Sequence, residues 1–341
     1  PWNFPLFLAM LKIGPALAVG NSLVLKPASI TPMTTLACCE CFAAAGLPPG
    51  ALNVIAGPGS TVGEAIVTDP RVQMVSFTGS TEVGRRVLEL AARNITNVSA
   101  ELGGKSPNII FADADFDQAV AGAVFGLLLN NGQNCIAGTR LLVEKSIYDR
   151  VCAAVAEKLA SLKLGDPSDP ATQLGAVVSQ EQFDKVTGYI ELGREEGATV
   201  ACGGGTPTIP GCEGGWFVEP TLLTGCTNQM RVAREEIFGP VLVAIPFADE
   251  AEAVRLANDT PYGLGAGVFT TNADRAARMA RALHVGTVYI NTYNQVYPQS
   301  PFPSWKQSGT GVERGLKGLL QYMRYKNVIQ DISGEPIGWF G

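Results

Sequence analysis

Apolar residues along the chain fall into short blocks of two kinds, one with helical spacing and one with continuous or alternating strand character. Residues 4–19 read as a helix, with Gly14-Pro15 as an expected interruption. A strand at 22–25 ends at Lys26-Pro27. Thr31-Pro32 then reads as a helix start, threonine as N-cap and proline in the first position, and that helix stops near Gly46-Leu47-Pro48-Pro49. Strands at 52–56, 72–77 and 98–102 alternate with helices at 60–67 and 80–92. Strand–helix alternation of this kind predicts parallel βαβ units and a nucleotide-binding type of α/β sheet, with ligands at the carboxyl ends of the strands. A second alternation follows, with strands near 108–111, 140–143 and 241–246 and helices at 116–129, 147–162, 180–196, 251–257 and 273–282. The glycine-rich stretch 202–215 reads as surface loop, and no internal repeat is present.

Composition narrows the class. A chain of 341 residues has room for two domains, and 46% hydrophobic with 16% charged residues is a globular mixture. The net charge of −6, without basic blocks, argues against nucleic acid and anionic membrane surfaces as partners. No apolar run is uninterrupted for the length of a bilayer; residues 1–19 come nearest and are broken by Lys12, Gly14 and Pro15. The chain starts at Pro1 in mid-pattern, so further sequence is expected upstream. Eight cysteines without paired CxxC spacing, and a single histidine (His284), suggest neither a disulfide framework nor a metal site. Reduced thiols in a cytoplasmic compartment are expected.

Candidate chemistry sits where the pattern breaks. Asn130-Asn131-Gly132-Gln133-Asn134-Cys135 places one cysteine on a tight turn after a helix, where nearby backbone N–H groups favour the thiolate. Cys135 is a candidate nucleophile or, alternatively, a small buried hydrophobe. The turn Gly79-Ser80 between strand and helix can hold a pyrophosphate or simply cap the helix. Glu101-Leu102-Gly103-Gly104-Lys105 puts a carboxylate at a strand end, as a general base or as an ion-pair partner of Lys105. Glu236 and Phe238 precede a Gly-Pro turn and can meet ribose hydroxyls and a ring, or end a helix and fill a core. Asn3, in a rigid Pro-Trp-Asn-Phe-Pro segment, can donate to an oxyanion or form a turn.

In this order the segments PWNFP, LKPAS, FTGSTEVG, ELGGKSPNI, GQNC, EEIFGP, NDTPYGLGAGVFT and KQSGTG resemble the aldehyde dehydrogenase superfamily, over nearly the whole chain. The resemblance implies a Rossmann-like coenzyme domain, incomplete at its N-terminus (1–103), a second α/β catalytic domain (104–302), and a return segment with an oligomerisation strand (303–341). It implies that Cys135 attacks an aldehyde, that Asn3 and the Cys135 N–H hold the oxyanion, that hydride passes to NAD or NADP, and that Glu101 activates the water that hydrolyses the thioester. Lys12 matches a lysine associated with proton transfer. Lys26 and Glu236 would bind riboses. Ser80, with Gly79, Val83 and Gly84, would bind the pyrophosphate, Phe238 would pack beside the nicotinamide ribose, and Leu102 would belong to the coenzyme site. Phe4, Leu11, Asn134, Ile136, Val296 and Phe302 would line the aldehyde pocket. That lining lacks arginine and lysine, which predicts neutral aldehydes over carboxylate-bearing ones. The family's members assemble as homodimers or homotetramers, expected here for the full-length protein.

The chain departs from the family pattern in three places. The family's segment ahead of PWNFP is expected upstream of Pro1. Ser29 stands where NAD-preferring members carry a ribose-binding glutamate, which makes NADP plausible. The usual PFGGYK reads Pro301-Phe302-Pro303-Ser304-Trp305-Lys306. Two other classes remain open: acyl transfer of esterase or coenzyme A type through the same thiol, and a nucleotide-binding remnant without turnover.

Overall fold

The computed structural model describes residues 1–335 and 338. The first half contains α1 (Pro5–Ala18), β1 (Leu23–Leu25), α2 (Met33–Ala44), β2 (Leu52–Val54), α3 (Glu64–Thr68), β3 (Met74–Thr78), α4 (Thr81–Ala92) and β4 (Asn97–Glu101). Its strands form two parallel pairs, β1 with β2 and β3 with β4. The amphipathic α4 lays Val87, Leu90 and Ala91 over Val75, and Ser80 caps it by accepting the Val83 N–H at 3.3 Å.

The second half continues with β5 (Pro107–Ile110), α5 (Phe116–Leu128), β6 (Arg140–Glu144), α6 (Tyr148–Ala160), α7 (Gln180–Glu195), β7 (Thr199–Cys202), β8 (Thr221–Thr224), α8 (Arg231–Arg234), β9 (Val241–Phe247), α9 (Glu250–Asn258), β10 (Tyr262–Gly263), β11 (Gly265–Phe269), α10 (Ala273–Ala282) and β12 (Thr287–Ile290). Seven of these strands make one sheet in the order β12-β11-β5-β6-β9-β8-β7, parallel except for β7. Strands β5, β6 and β9 are buried almost throughout because each face of the sheet carries its own apolar core. Ile109, Leu142 and Val243 point to one, and Ile110, Leu141 and Leu242 to the other. Asp115, Ser179, Asp249 and Asn272 cap α5, α7, α9 and α10, each accepting the N–H three residues on.

Residues after β12 return to the first half through β13 (Phe302–Pro303), β14 (Trp305–Lys306), β15 (Val312–Glu313) and α11 (Gly315–Leu320). β14 pairs with β10, and the next residues run antiparallel along β4, where Leu102 N–H donates to the Ser308 carbonyl at 2.8 Å. This segment therefore bridges both halves over the end of β4. Of the expected oligomerisation strand, residues 321–335 contain no strand, and residues 336–337 and 339–341 lie outside the described residues. No helix among the described residues is long and apolar enough to cross a membrane.

Two local expectations are corrected. Gly14-Pro15 does not interrupt α1: Ala9, Ile13 and Ala16 bury one continuous face, and that packing holds the helix through the missing Pro15 N–H. Thr31 does not cap α2. Its hydroxyl donates instead to the Trp2 carbonyl at 3.3 Å, and Pro32 takes the cap position. Strands β7, β8, β11 and β12 are not predicted by the residue pattern; β11, Gly265–Phe269, has two glycines and no alternation to betray it.

Candidate active site

The site is built by close backbone approaches that only glycine permits. The turn after α5 holds Asn130 and Asn131 in the left-handed region at φ 56° and 57°, followed by Gly132 at φ 71°. A Cβ on Gly132 would stand 2.2 Å from the Gly239 carbonyl oxygen, so this turn lies directly on the Glu236–Gly239 segment. A Cβ on Gly104 would stand 2.3 Å from the Cys135 carbonyl oxygen, and one on Gly103 2.5 Å from Glu236 Oε2. The Gly104 N–H donates to Glu236 Oε1 at 2.9 Å. Three separate segments, that of Gly103-Gly104 among them, are thereby locked together. A fourth joins because the Trp2 and Phe238 rings meet edge to face at 5.1 Å, with Phe238 at φ 62°.

Cys135 is half-buried and packs on the cluster of Ile136, Leu264, Tyr289 and Tyr293. Its Sγ lies 3.8 Å from Asn134 Oδ1, and Asn134 Oδ1 accepts the Ile136 N–H at 3.3 Å. The expected thiolate bias is not found. Burial, then the carboxylates Glu236, Glu101 and Glu313, push the thiol up to about 12. A base must therefore take its proton.

Glu101 closes β4 and is 4% exposed. Burial raises its carboxyl to about 8, against the lowering effect of a hydrogen bond donated by the Ser304 hydroxyl to Oε2. Oε1 is buried without a partner. Gly311 makes room for it: a Cβ there would be 2.7 Å from Oε1. The altered Pro303-Ser304-Trp305 stretch thus supplies a hydroxyl to the carboxylate. Glu101 does not pair with Lys105, which is 1% exposed with an unpartnered Nζ and is lowered to about 7 by burial and by Arg140.

Asn3 is buried just ahead of α1. Lys12 donates to Thr78 Oγ1 at 2.8 Å and to Glu313 Oε1 at 2.5 Å, so it is tied to both β3 and β15. Lys26 is half-buried and lowered by burial; its Nζ donates to the Pro27 carbonyl at 2.9 Å, and its stem runs beside Gly63. Ser29 donates to the Gly57 carbonyl at 3.3 Å. Gly79 meets the Phe77 ring and Gly84 the Leu102 side chain so closely that a Cβ would collide at 2.5 Å and 2.3 Å. Val83 is 49% exposed at the head of α4. Glu236, raised by burial, keeps Oε2 beside the Gly103 cradle.

The expected pocket residues separate. Leu11 faces a cavity of about 240 Å³ between α1, β15 and α11. Phe4 stands at φ 48°, Asn134 is buried, and Phe302 packs against the Cys135 cluster. Val296 is 49% exposed. Ile136 is wedged against Gly265 in the core beneath the thiol. An arginine outside that expected lining stands beside it: the Arg314 guanidinium lies 4.6 Å from the Phe302 ring centroid. Sequence reasoning misses Arg314, Ser304 and Glu313, because contact with the site depends on the return path. Glu313-Arg314 comes one residue after KQSGTG, which is the available signal.

A parallel α/β frame that gathers a thiol, a proton-holding carboxylate and glycine-cradled strand ends defines an enzyme of the dinucleotide-binding type. The family model "Aldehyde dehydrogenase family" matches residues 1–328. A betaine aldehyde dehydrogenase of Mesorhizobium japonicum is 46% identical over 327 residues, 96% of this chain and 67% of that protein. An aldehyde dehydrogenase of Emericella nidulans is 48% identical over 329 residues, 96% of this chain and 65% of that protein. The crystal structure of a Staphylococcus aureus betaine aldehyde dehydrogenase in complex with NAD+ superimposes with TM-score 0.98 at 43% identity, covering all of this chain and 68% of that one. The chain belongs to the aldehyde dehydrogenase family, the NAD-dependent enzymes that oxidise aldehydes.

Proposed function

We propose that this protein oxidises an aldehyde to a carboxylic acid through a covalent Cys135 adduct, with NAD as hydride acceptor. The observation that supports the reading best is the lock around Gly103-Gly104, which sets the nucleophile, the carboxylate at the end of β4 and Glu236 against one another. A thiol held near pKa 12 cannot ionise alone at neutral pH, so it is the ionised fraction of Glu101, whose carboxyl sits near 8, that takes its proton as Sγ attacks the carbonyl carbon. Asn3 and the Cys135 N–H hold the oxyanion. A nicotinamide, when bound, accepts the hydride from that carbon and leaves a thioester on Cys135. Once Glu101 has passed the thiol's proton to solvent, it takes a proton from water as the water oxygen attacks the thioester carbon, and gives that proton to the departing Cys135 sulfur, so that the acid leaves and the thiol is restored. Lys12, held by Glu313 and Thr78, assists proton transfer.

The coenzyme fits the residues present. Glu236 Oε2, beside a cradle that any Cβ at Gly103 would fill, accepts ribose hydroxyls. The α4 N-terminus with Gly79, Ser80, Val83 and Gly84 faces the pyrophosphate. Lys26 serves the other ribose, with Phe238 and Leu102 beside the nicotinamide. The solved relatives carry NAD+; Ser29, neutral, places no charge against a 2′-phosphate, so NADP belongs in the test. The division into a coenzyme part (1–103), a catalytic part (104–302) and a return segment (303–341) is part of this reading. So is homo-oligomer assembly, supported by the exposed Tyr325, Val328, Ile329 and Ile332.

The test is reduced-nicotinamide formation from a panel of aldehydes, with NAD and NADP side by side, in wild type and Cys135→Ala. Thiol-dependent turnover is expected, with loss of at least about a thousandfold in the variant. A folded wild type silent on every aldehyde, or a fully active Cys135→Ala, refutes the reading.

A further inference from the structure

Resting on that reading, we propose that Arg314 selects an aldehyde bearing a carboxylate at its far end. The side chain leaves the junction of β15 and α11 and lays its guanidinium over Phe302, whose ring packs against the Cys135 cluster. Arg314 also lines the 240 Å³ cavity, together with Met10, Leu11 and Pro298. The position is held firmly. Arg314 has φ 64° and ψ 169°, a conformation L residues rarely adopt. The next residue, Gly315, is clamped beneath Gln299, where a Cβ would sit 2.8 Å from the carbonyl oxygen, and its N–H donates to the Pro298 carbonyl at 2.9 Å.

Among the described residues this guanidinium has no carboxylate within ion-pair distance and no hydrogen-bond acceptor. Glu313 is engaged by Lys12, and Glu101 accepts from Ser304 through Oε2. An arginine stays charged at neutral pH even when burial lowers its pKa, as it does here. Stacked on a ring, it keeps its N–H edge free for the paired hydrogen bonds that a carboxylate accepts. Its charge works against the rise of the Glu101 carboxyl at the end of β4. A quaternary ammonium at the same place would meet like charge in a partly desolvated site.

The experiment compares kcat/KM for three aldehydes of matched length, ending in a methyl, a carboxylate and a trimethylammonium group. Wild type, Arg314→Leu and Arg314→Lys are measured with NAD. Wild type is expected to prefer the carboxylate. Arg314→Leu lowers the carboxylate-to-methyl ratio by about 100-fold, and Arg314→Lys restores part of it. A merely structural role would lower all three substrates together and leave the ratio unchanged, which overturns the proposal. So does a wild type that prefers the methyl or trimethylammonium end. Protection of Cys135 from iodoacetamide by succinate separates the two readings without turnover. Protection in wild type that is lost in Arg314→Leu upholds the recognition even where no aldehyde is oxidised, and no protection in wild type refutes it.

Discussion

Replacing Gly104 by alanine puts a methyl group 2.3 Å from the Cys135 carbonyl oxygen, where ordinary contact begins at 3.4 Å. About 1 Å of movement is therefore required, and it must come from backbone, because the obstacle is a peptide oxygen and not the end of a side chain. On one side is the strand end carrying Glu101; on the other is the turn that carries the nucleophile and rests on Gly239. A displacement of this size in a reacting group costs about 100-fold in rate, and overpacking of a tight core costs about 1–3 kcal/mol of stability. Gly14→Ala in α1 is the matched control: a Cβ added there meets nothing within 4 Å, and a mid-helix alanine is favoured by about 0.5–1 kcal/mol. The assay pairs kcat/KM for aldehyde oxidation and the iodoacetamide alkylation rate of Cys135 with the thermal midpoint. Gly104→Ala is expected to lose rate on both chemical readouts and to melt lower, while Gly14→Ala keeps its rates and melts higher. Wild-type alkylation and turnover in Gly104→Ala would refute the idea that this contact sets the nucleophile.

Glu101 and Lys105 predict opposite pH dependences. Folding raises Glu101 from 4.5 to about 8, so its protonated form favours the native state. That contribution is complete below 4.5 and is lost as pH rises toward 8, on the order of a few kcal/mol. Glu101→Gln should flatten denaturant stability over that window and abolish thioester hydrolysis; an unchanged slope counts against the buried acid. Folding lowers Lys105 from 10.5 to about 7, so its contribution is present above 10.5 and is lost as pH falls toward 7. Lys105→Met should remove the stability gain between pH 7 and 10, and urea midpoints across that range decide it.

Much of the architecture is legible in the residues because local chemistry and tertiary packing agree. The continuous apolar runs of β5, β6 and β9 read as strands and lie at the centre of the sheet, since a strand buried on both faces needs no alternation. The capping residues of α4, α5 and α7 mark their own helix starts. Motif order points to Cys135, Glu101 and Glu236, and glycine spacing hints at close approach near them.

The remainder lies in contacts between residues far apart along the chain. Whether Gly104 is indifferent or indispensable depends on the Cys135 carbonyl that arrives 31 positions later. The turn around the thiol suggests a thiolate, but burial and three carboxylates from other segments outweigh any nearby N–H. Thr31 reads as a cap until Trp2 offers its carbonyl. The return segment brings Ser304, Glu313 and Arg314 over a site that their sequence neighbours never mention. Residue order alone was enough for most of the elements and for the family, and it singled out Cys135 and Glu101 as candidates. The proton affinities, the glycine locks and the charge over Phe302 were left to packing, because each depends on what distant backbone excludes from water.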